Sequence, residues 1–483
     1  MYIGLDIGTS SVKAILLGED QSLIASATTD LTVERPHPGW SEQDPDSWWT
    51  ACEKVLDALK AEAPKELASV RGIGLSGHMH GATLLDKSGN PLRPCILWND
   101  GRSGKQCADL EKAEPKFLSL GGNRVMPGFT APKLQWVREN EPEVFAKTAM
   151  VLLPKDYVRF KLTGEYAGDM SDSAGTLWLD VAKRDWSDAL LAATGLTRSQ
   201  MPRLVEGSES SGSLKPELCS RWGLDAAPVV AGGGGDNAAS ACGVGAITPG
   251  SAFVSLGTSG VLFVTNDKFS PNVGSAVHAF CHAVPDTWHQ MGVILSATDS
   301  LNWLAKTLKK SPGDLTTALG TVSGPSPVCF LPYLGGERTP HNDVEIRAGF
   351  AGISHETDDA VLTHAVLDGV AFALKDCLEA LSVAGTKVDR VLAVGGGSNS
   401  QTWLEIIASL LNVTIDVPVD GDFGASLGAA RLGQAAALGN TDGIFDKPAL
   451  KASIDPVSNL TEKYAEAYGQ WRKFYPALKQ AGF

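Results

Sequence analysis

A near-repeat of one short segment constrains this chain more than any other feature. Asp6-Ile7-Gly8-Thr9-Ser10-Ser11-Val12 returns, with changes, as Ser255-Leu256-Gly257-Thr258-Ser259-Gly260-Val261, 249 positions later. In both copies an apolar, strand-like run precedes the Gly-Thr-Ser turn and a valine stands just beyond it, which marks a duplicated unit. Two domains are therefore expected, 1–246 and 247–483, divided where Ile247-Thr248-Pro249-Gly250 punctuates the chain. Length agrees with this, because 483 residues exceed the roughly 250–300 at which a single core stops growing.

Local patterns give the class of fold. Met1 to Leu17 reads as two strands joined by a tight turn. Asp44 before Pro45 reads as a capping residue and a first-turn proline opening a helix, and the following Val70–Asp86 stretch is a short apolar strand that ends in a polar cluster. Alternating strands and helices imply a layered α/β architecture. Further on, Leu362, Ala365, Val366, Gly369, Val370, Ala373 and Cys377 form one stripe of a core helix. A strand over Arg390–Ser398 and a second helix from Gln401 follow, with Ser398 and Gln401 spaced as a capping box. A last helix is expected over Leu460–Tyr475, docked through Leu460, Tyr464, Tyr468, Trp471 and Tyr475.

The formal net charge of −14 and the lack of a long basic run disfavour nucleic acid and anionic membrane as partners. No positive leader followed by an apolar stretch opens the chain, and no run of about 18 uncharged apolar residues occurs, so a cytoplasmic location is expected. The eight cysteines include no CxxC pair and read as reduced, mostly buried thiols.

A turn whose backbone amides face one way cradles an anion, and Gly, Thr and Ser permit close approach. The two turns, Gly8-Thr9-Ser10 and Gly257-Thr258, could thus grip one polyphosphate, with Lys13 adding charge and Asp6 holding a hydrated magnesium ion. Gly72–Gly77 satisfies G-x-G-x-x-G, but inside a strand-like run with no acidic residue about twenty positions on, so a dinucleotide fold is rejected. A Walker loop is missing as well, since Gln106 follows Gly104-Lys105. Val229-Val230-Ala231 runs into four glycines and then Asp236-Asn237. Asp236 there could take the proton of a substrate hydroxyl while Asn237 reads a second one, or it could cap the helix that follows. His78 and His80 flank Met79 in an extended run, so they point apart and make no metal pair; His78 reads as a satisfied structural histidine.

These pieces, with Gly128-x-Thr130-x-x-Lys133-Leu134-x-Trp136-Val137-x-Glu139-Asn140 and stretches such as GHMHGATLLD, LWNDGR and GERTPH, resemble the FGGY family of carbohydrate kinases over nearly the whole chain. The second family signature, near Gly349–Asp368, is met imperfectly at Val361. The resemblance implies an actin-like ATPase fold of two ribonuclease-H-like domains with the active site between them. It implies ATP and magnesium as cofactors, and a small ketose as partner, with D-xylulose phosphorylated at O5 as the expected reaction. By the same resemblance Asp236 is the general base, Met79, His80 and Asn237 contact the ketose, Gly396, Gly397 and Ser400 lie against adenosine, and a homodimer is the family's habit. Gly128 stands where relatives acting on smaller polyols carry a tyrosine, which leaves room for a longer sugar. Rival readings are a sister kinase for ribulose, another ketose or glycerol, and a chaperone-like or filament-forming actin relative.

Overall fold

The computed structural model describes residues 1–419 and 424–482. The first half builds a sheet from β1 (Tyr2–Ile7), β2 (Ser11–Leu17), β3 (Leu23–Asp30), β4 (Gly72–Gly77), β5 (Ser210–Ser213) and β6 (Val229–Ala231). The second half uses β7 (Ala252–Leu256), β8 (Gly260–Asn266), β9 (His278–Cys281), β10 (Trp288–Ile294), β11 (Arg390–Val394), β12 (Thr414–Pro418) and β13 (Leu450–Ile454). The first sheet runs β5-β6-β4-β1-β2-β3, and the second β9-β10-β8-β7-β11-β12-β13. In each, an antiparallel hairpin carries the Gly-Thr-Ser turn, its first strand pairs in parallel with the next strand in the order, and the far edge closes antiparallel. The repeat read from two heptapeptides is thus a repeat of sheet topology.

The helices that matter here are α1 (Pro45–Glu62), α2 (Thr130–Asn140), α3 (Pro154–Thr163), α4 (Met170–Ala174), α5 (Asp236–Gly243), α6 (Thr298–Leu308), α7 (Asp359–Val383), α8 (Gln401–Leu411), α9 (Gly424–Leu438) and α10 (Ser458–Trp471). Asp44 caps α1 by accepting from the Asp46 amide, as expected. The cap of α8 differs from expectation: Ser400, not Ser398, accepts from the Trp403 amide at 3.3 Å, while Ser398 Oγ donates to Gly395 O within the preceding turn. The last helix also stops sooner, at Trp471; Tyr475 lies in a separate helix, Phe474–Ala481.

Helix α9, far along the chain, lies on β1 and β4 of the first sheet and crosses α5. Its backbone comes so close that a Cβ on Gly74 would stand 1.8 Å from Ala429 O, and one on Gly428 would stand 1.7 Å from Ala239 O. The glycines that mimic a dinucleotide fingerprint are therefore a helix seat. All eight cysteines are unpaired and all but the half-buried Cys329 are buried. Among the described residues no helix is long and apolar enough to cross a membrane.

Candidate active site

Strand β6 passes into the four glycines, and Gly234-Gly235 pairs with Ser76-Gly77 at the end of β4. Only glycine can take this path, because Gly233 has φ +74° and a Cβ there would meet Leu75 O at 2.1 Å. The result delivers Asp236, as the first residue of α5, beside the segment Met79-His80 that follows β4. Asp236 does not cap the helix, whose N-cap is Gly235; its Oδ1 accepts from Asn237 N at 2.7 Å and Asn237 Nδ2 at 2.9 Å. Withdrawal from water, joined by the nearby charge of Asp6, pushes the Asp236 carboxyl up to about 6.

Asp236 lines a cavity of about 290 Å³ together with Met79, His80, Asn237 and, from the second half, Gly257 and Arg338. His80 sits at φ +71° with Nδ1 2.7 Å from Gly175 O. A carbonyl only accepts, so Nδ1 carries the hydrogen and Nε2 is left as an acceptor. Burial, with Lys133 nearby, pushes His80 down to about 3, so the ring is neutral at ordinary pH. Its backbone is held by α2: Thr130 Oγ1 and Lys133 Nζ donate to His80 O at 3.1 and 2.9 Å, and Lys133 Nζ also donates to Gly128 O at 2.5 Å. Buried among carbonyls, Lys133 is pushed down to about 7, chiefly by desolvation. Gly128 lines the cavity, but a Cβ there would stand 2.8 Å from Trp98 O, so its smallness also serves the close approach of two backbones.

His78 turns the other way, packing edge-on against Trp48 with ring centroids 5.5 Å apart. The histidines point apart as expected. His78 is not satisfied, however, since neither ring nitrogen has a partner among the described residues.

The first turn lies beside this cavity rather than in its lining. Thr9 Oγ1 accepts from Trp98 Nε1 at 3.0 Å, and Trp98 does line the cavity. Gly8 closes the turn by donating to Ser11 O at 2.9 Å, with Ser10 O accepting from Leu31 N at 2.8 Å. Lys13 faces Asp6 across the hairpin. Desolvation raises the Asp6 carboxyl against the opposing pull of a 2.9 Å hydrogen bond from Ser76 Oγ and of Lys13. In the second turn Gly257 O accepts from Thr298 N and Oγ1, and Thr258 O accepts from Ala297 N, which seats the turn on the start of α6. A second cavity of about 510 Å³ is lined by Gly395, Gly396, Ser398 and Asn399. Gly397 and Ser400 do not line it: Gly397 is buried against Leu256, and Ser400 is engaged as the cap of α8.

Sequence reading missed what lies behind Asp236. Lys155 Nζ stands 2.7, 2.6 and 3.0 Å from oxygens of Asp156, Asp169 and Asp172, all of them buried, and occupies the point where these three carboxylates could otherwise have held a metal. Burial, with repulsion from Asp156 and Asp169, raises Asp172 well above the ordinary range despite Lys155. Arg159 adds a second cation, donating to Asp156 Oδ1 at 2.6 Å and to Gly232 O. Asp169 Oδ2 accepts from Ser171 Oγ at 2.5 Å, and Ser171 Oγ accepts from Gly235 N at 3.1 Å. The network therefore grips the tetraglycine at both ends, Gly232 and Gly235.

Residues 1–243 match the N-terminal domain of the FGGY family of carbohydrate kinases, and residues 252–437 match its C-terminal domain. The chain belongs to that family. Xylulose kinase of Escherichia coli (strain K12) is 50% identical over 439 residues, 90% of each chain, and that of Klebsiella pneumoniae is 47% identical over 483 residues, 99% of each. A crystal structure of a xyloylose kinase from Brucella ovis superposes with a TM-score of 0.97 at 56% identity, covering 99% of both chains. This carbohydrate kinase has the two-domain, actin-like ATPase fold of its family, and as a phosphotransferase it uses ATP and a sugar.

Proposed function

We propose that this carbohydrate kinase transfers the γ-phosphoryl group of ATP to O5 of D-xylulose, with Asp236 as general base. The observation that carries the reading is that Asp236, with its pKa raised toward neutrality, shares one cavity with His80, Asn237 and the Gly257 turn. The Asp236 carboxylate takes the O5 proton, the O5 lone pair forms the new bond to phosphorus, and the bond to the bridging oxygen breaks, releasing ADP. Met79 packs on Gly235 and walls the sugar, His80 Nε2 accepts from one of its hydroxyls, and Asn237 uses its amide oxygen for another.

The turns at Gly8-Thr9-Ser10 and Gly257-Thr258 hold the phosphates with Lys13, and Gly396, backed by Gly397 and Ser400, meets the adenosine. Hard carboxylate oxygens at Asp6 and Asp236, with Asp6 close enough to raise the proton affinity of Asp236, fit a hydrated magnesium ion, which Asp6 would hold through water. When bound, that ion neutralises charge on the phosphates. The reading extends to a cytoplasmic location and to a homodimer, the latter checked by sedimentation of the purified protein.

A coupled ADP-release assay over D-xylulose, ribulose, other ketoses, xylitol and glycerol tests the substrate. The highest kcat/KM is expected for D-xylulose; a clear preference for another sugar or polyol refutes the choice. Sugar-independent ADP release together with ATP-dependent polymers would point to the actin-like alternative.

A further inference from the structure

Phosphoryl transfer as described leaves one cation of the cavity without a task. Arg338 lines the cavity from the second half of the chain and is half-buried there. A guanidinium has five N–H donors. One, on Nη1, reaches His278 Nε2 at 3.3 Å; the other four have no acceptor among the described residues. The adjacent acid does not compensate, because Glu337 Oε1 accepts from the backbone amides of Leu295 at 3.0 Å and of Arg338 at 2.7 Å and makes no ion pair with the guanidinium. His278 is kept as an acceptor toward Arg338 because its Nδ1 bonds Asn123 Oδ1 at 3.0 Å, an oxygen that also accepts from Ala279 N. A half-buried cation with unmet donors on a cavity wall is free to meet an acceptor on a ligand.

The place of that acceptor follows from its neighbours. Arg338 is tied to His278, whereas Asp236 is tied to Asn237. Phe129 and Phe280 pack against both imidazoles, with ring centroids 4.7–6.2 Å apart. Arg338 therefore stands with His278 at the aromatic end of the cavity. A sugar whose terminal hydroxyl meets Asp236 presents its opposite end here.

We propose that Arg338 donates to the C2 carbonyl oxygen of an open-chain ketose and so selects the acyclic keto form against both the ring form and the corresponding polyols. A 2-ketopentose closes its ring by adding the C5 hydroxyl to the C2 carbonyl, so the two groups are consumed together. Only the open form offers a free O5 to Asp236 and a planar carbonyl to the guanidinium fork. A hydroxyl at C2 also carries a hydrogen that the guanidinium, which has no acceptor, cannot receive.

This inference rests on the reading of Asp236 and D-xylulose above, and the experiment keeps the two apart. Arg338→Met and Arg338→Lys are compared with the wild type on D-xylulose and on xylitol and D-arabinitol, the two polyols made by reducing its carbonyl. The polyols are used as substrates or, where turnover is undetectable, as competitive inhibitors. Losing a charge-assisted hydrogen bond lowers kcat/KM for the ketose about 10- to 100-fold, mainly through KM. Polyol kinetics and the KM for ATP change less than about threefold, the range left when no specific bond is lost. Arg338→Lys, with charge but no fork, falls between, and remains informative if Arg338→Met does not fold. An equal loss on ketose and polyols, or an unchanged ketose KM in either variant, overturns the proposal. Turnover retained in Asp236→Asn would instead overturn the reading of the base, whatever the Arg338 variants do.

Discussion

The two halves of the molecule share one sheet topology but divide the chemistry between them. At equivalent points of the two hairpins the first carries Asp6 and Lys13, the second Ser255 and Leu262. The strand beside the first hairpin, β4, leads into Met79 and His80; its counterpart, β11, leads into the glycines at 395–397 that border the second cavity. After β6 comes Asp236. Duplication thus supplied two similar cradles, and divergence placed carboxylates beside the first and glycines beside the second, which on the proposed reading meets the nucleotide. The cost of concentrating charge also falls on the first half, where burial raises both Asp6 and Asp236.

Breaking the chemical half is expected to give the largest effect. Asp236→Ala lowers kcat about 10²- to 10⁴-fold, the usual worth of a general base, while nucleotide binding measured by calorimetry changes little. A transplant comes next: Asp6→Asn lowers turnover about 100-fold, as loss of the group that would hold the charge-neutralising ion does, and adding Ser255→Asp in the equivalent position restores none of it. Recovery there would show that the halves are chemically interchangeable.

The same asymmetry sets a pH dependence. The wild-type kcat/KM is expected to fall on the acid side with a midpoint near 6, as Asp236 takes up its proton. Because the folded-state value lies above the ordinary carboxylate value of 3.8, the folded state binds more protons between about pH 4 and 6, so this group lowers stability as pH rises through that window. Asp236→Asn is therefore more stable than wild type above pH 6 by about 2–3 kcal/mol, and the difference vanishes below pH 4 in denaturant titrations.

Two glycines then separate packing from binding. Gly74→Ala forces a methyl into the backbone of α9 and costs about 1–3 kcal/mol or more of stability. Gly396→Ala meets nothing within 4 Å and leaves stability unchanged, while raising the KM for ATP. The smallest effect belongs to the support of the base: Ser171→Ala removes the acceptor of Gly235 N and reduces kcat about 10-fold, equivalent to about 1.4 kcal/mol, with a normal KM for ATP and rescue by Ser171→Thr.

Much of this was legible in sequence because it is written locally. The hairpins, the cap of α1, and the run of glycines before Asp236 depend on neighbouring residues, so spacing alone exposes them. What stayed hidden depends on partners far along the chain. Spacing is enough to reject Gly72 and Gly74 as a nucleotide fingerprint, but what they are for appears only when α9, more than three hundred residues later, is seen lying on them. Lys155, Asp156, Arg159, Asp169 and Asp172 look like an ordinary charged surface, and only folding buries all five against the tetraglycine. Arg338 and His278 come from a loop and an edge strand that no periodicity links to Asp236. Ser398 has the spacing of a cap, but the Gly396–Asn399 turn shifts the start of α8, so that Ser400 takes the role.

The account turns on Asp236 receiving the proton of a terminal sugar hydroxyl while the two Gly-Thr-Ser turns hold the phosphates. A crystal structure of the protein with D-xylulose and a nonhydrolysable ATP analogue tests this most directly. It should show an acyclic sugar with O5 within hydrogen-bond distance of an Asp236 carboxylate oxygen and the γ-phosphate between the turns at Gly8 and Gly257. A sugar bound with O5 directed away from Asp236, or a γ-phosphate touched by neither turn, would contradict it.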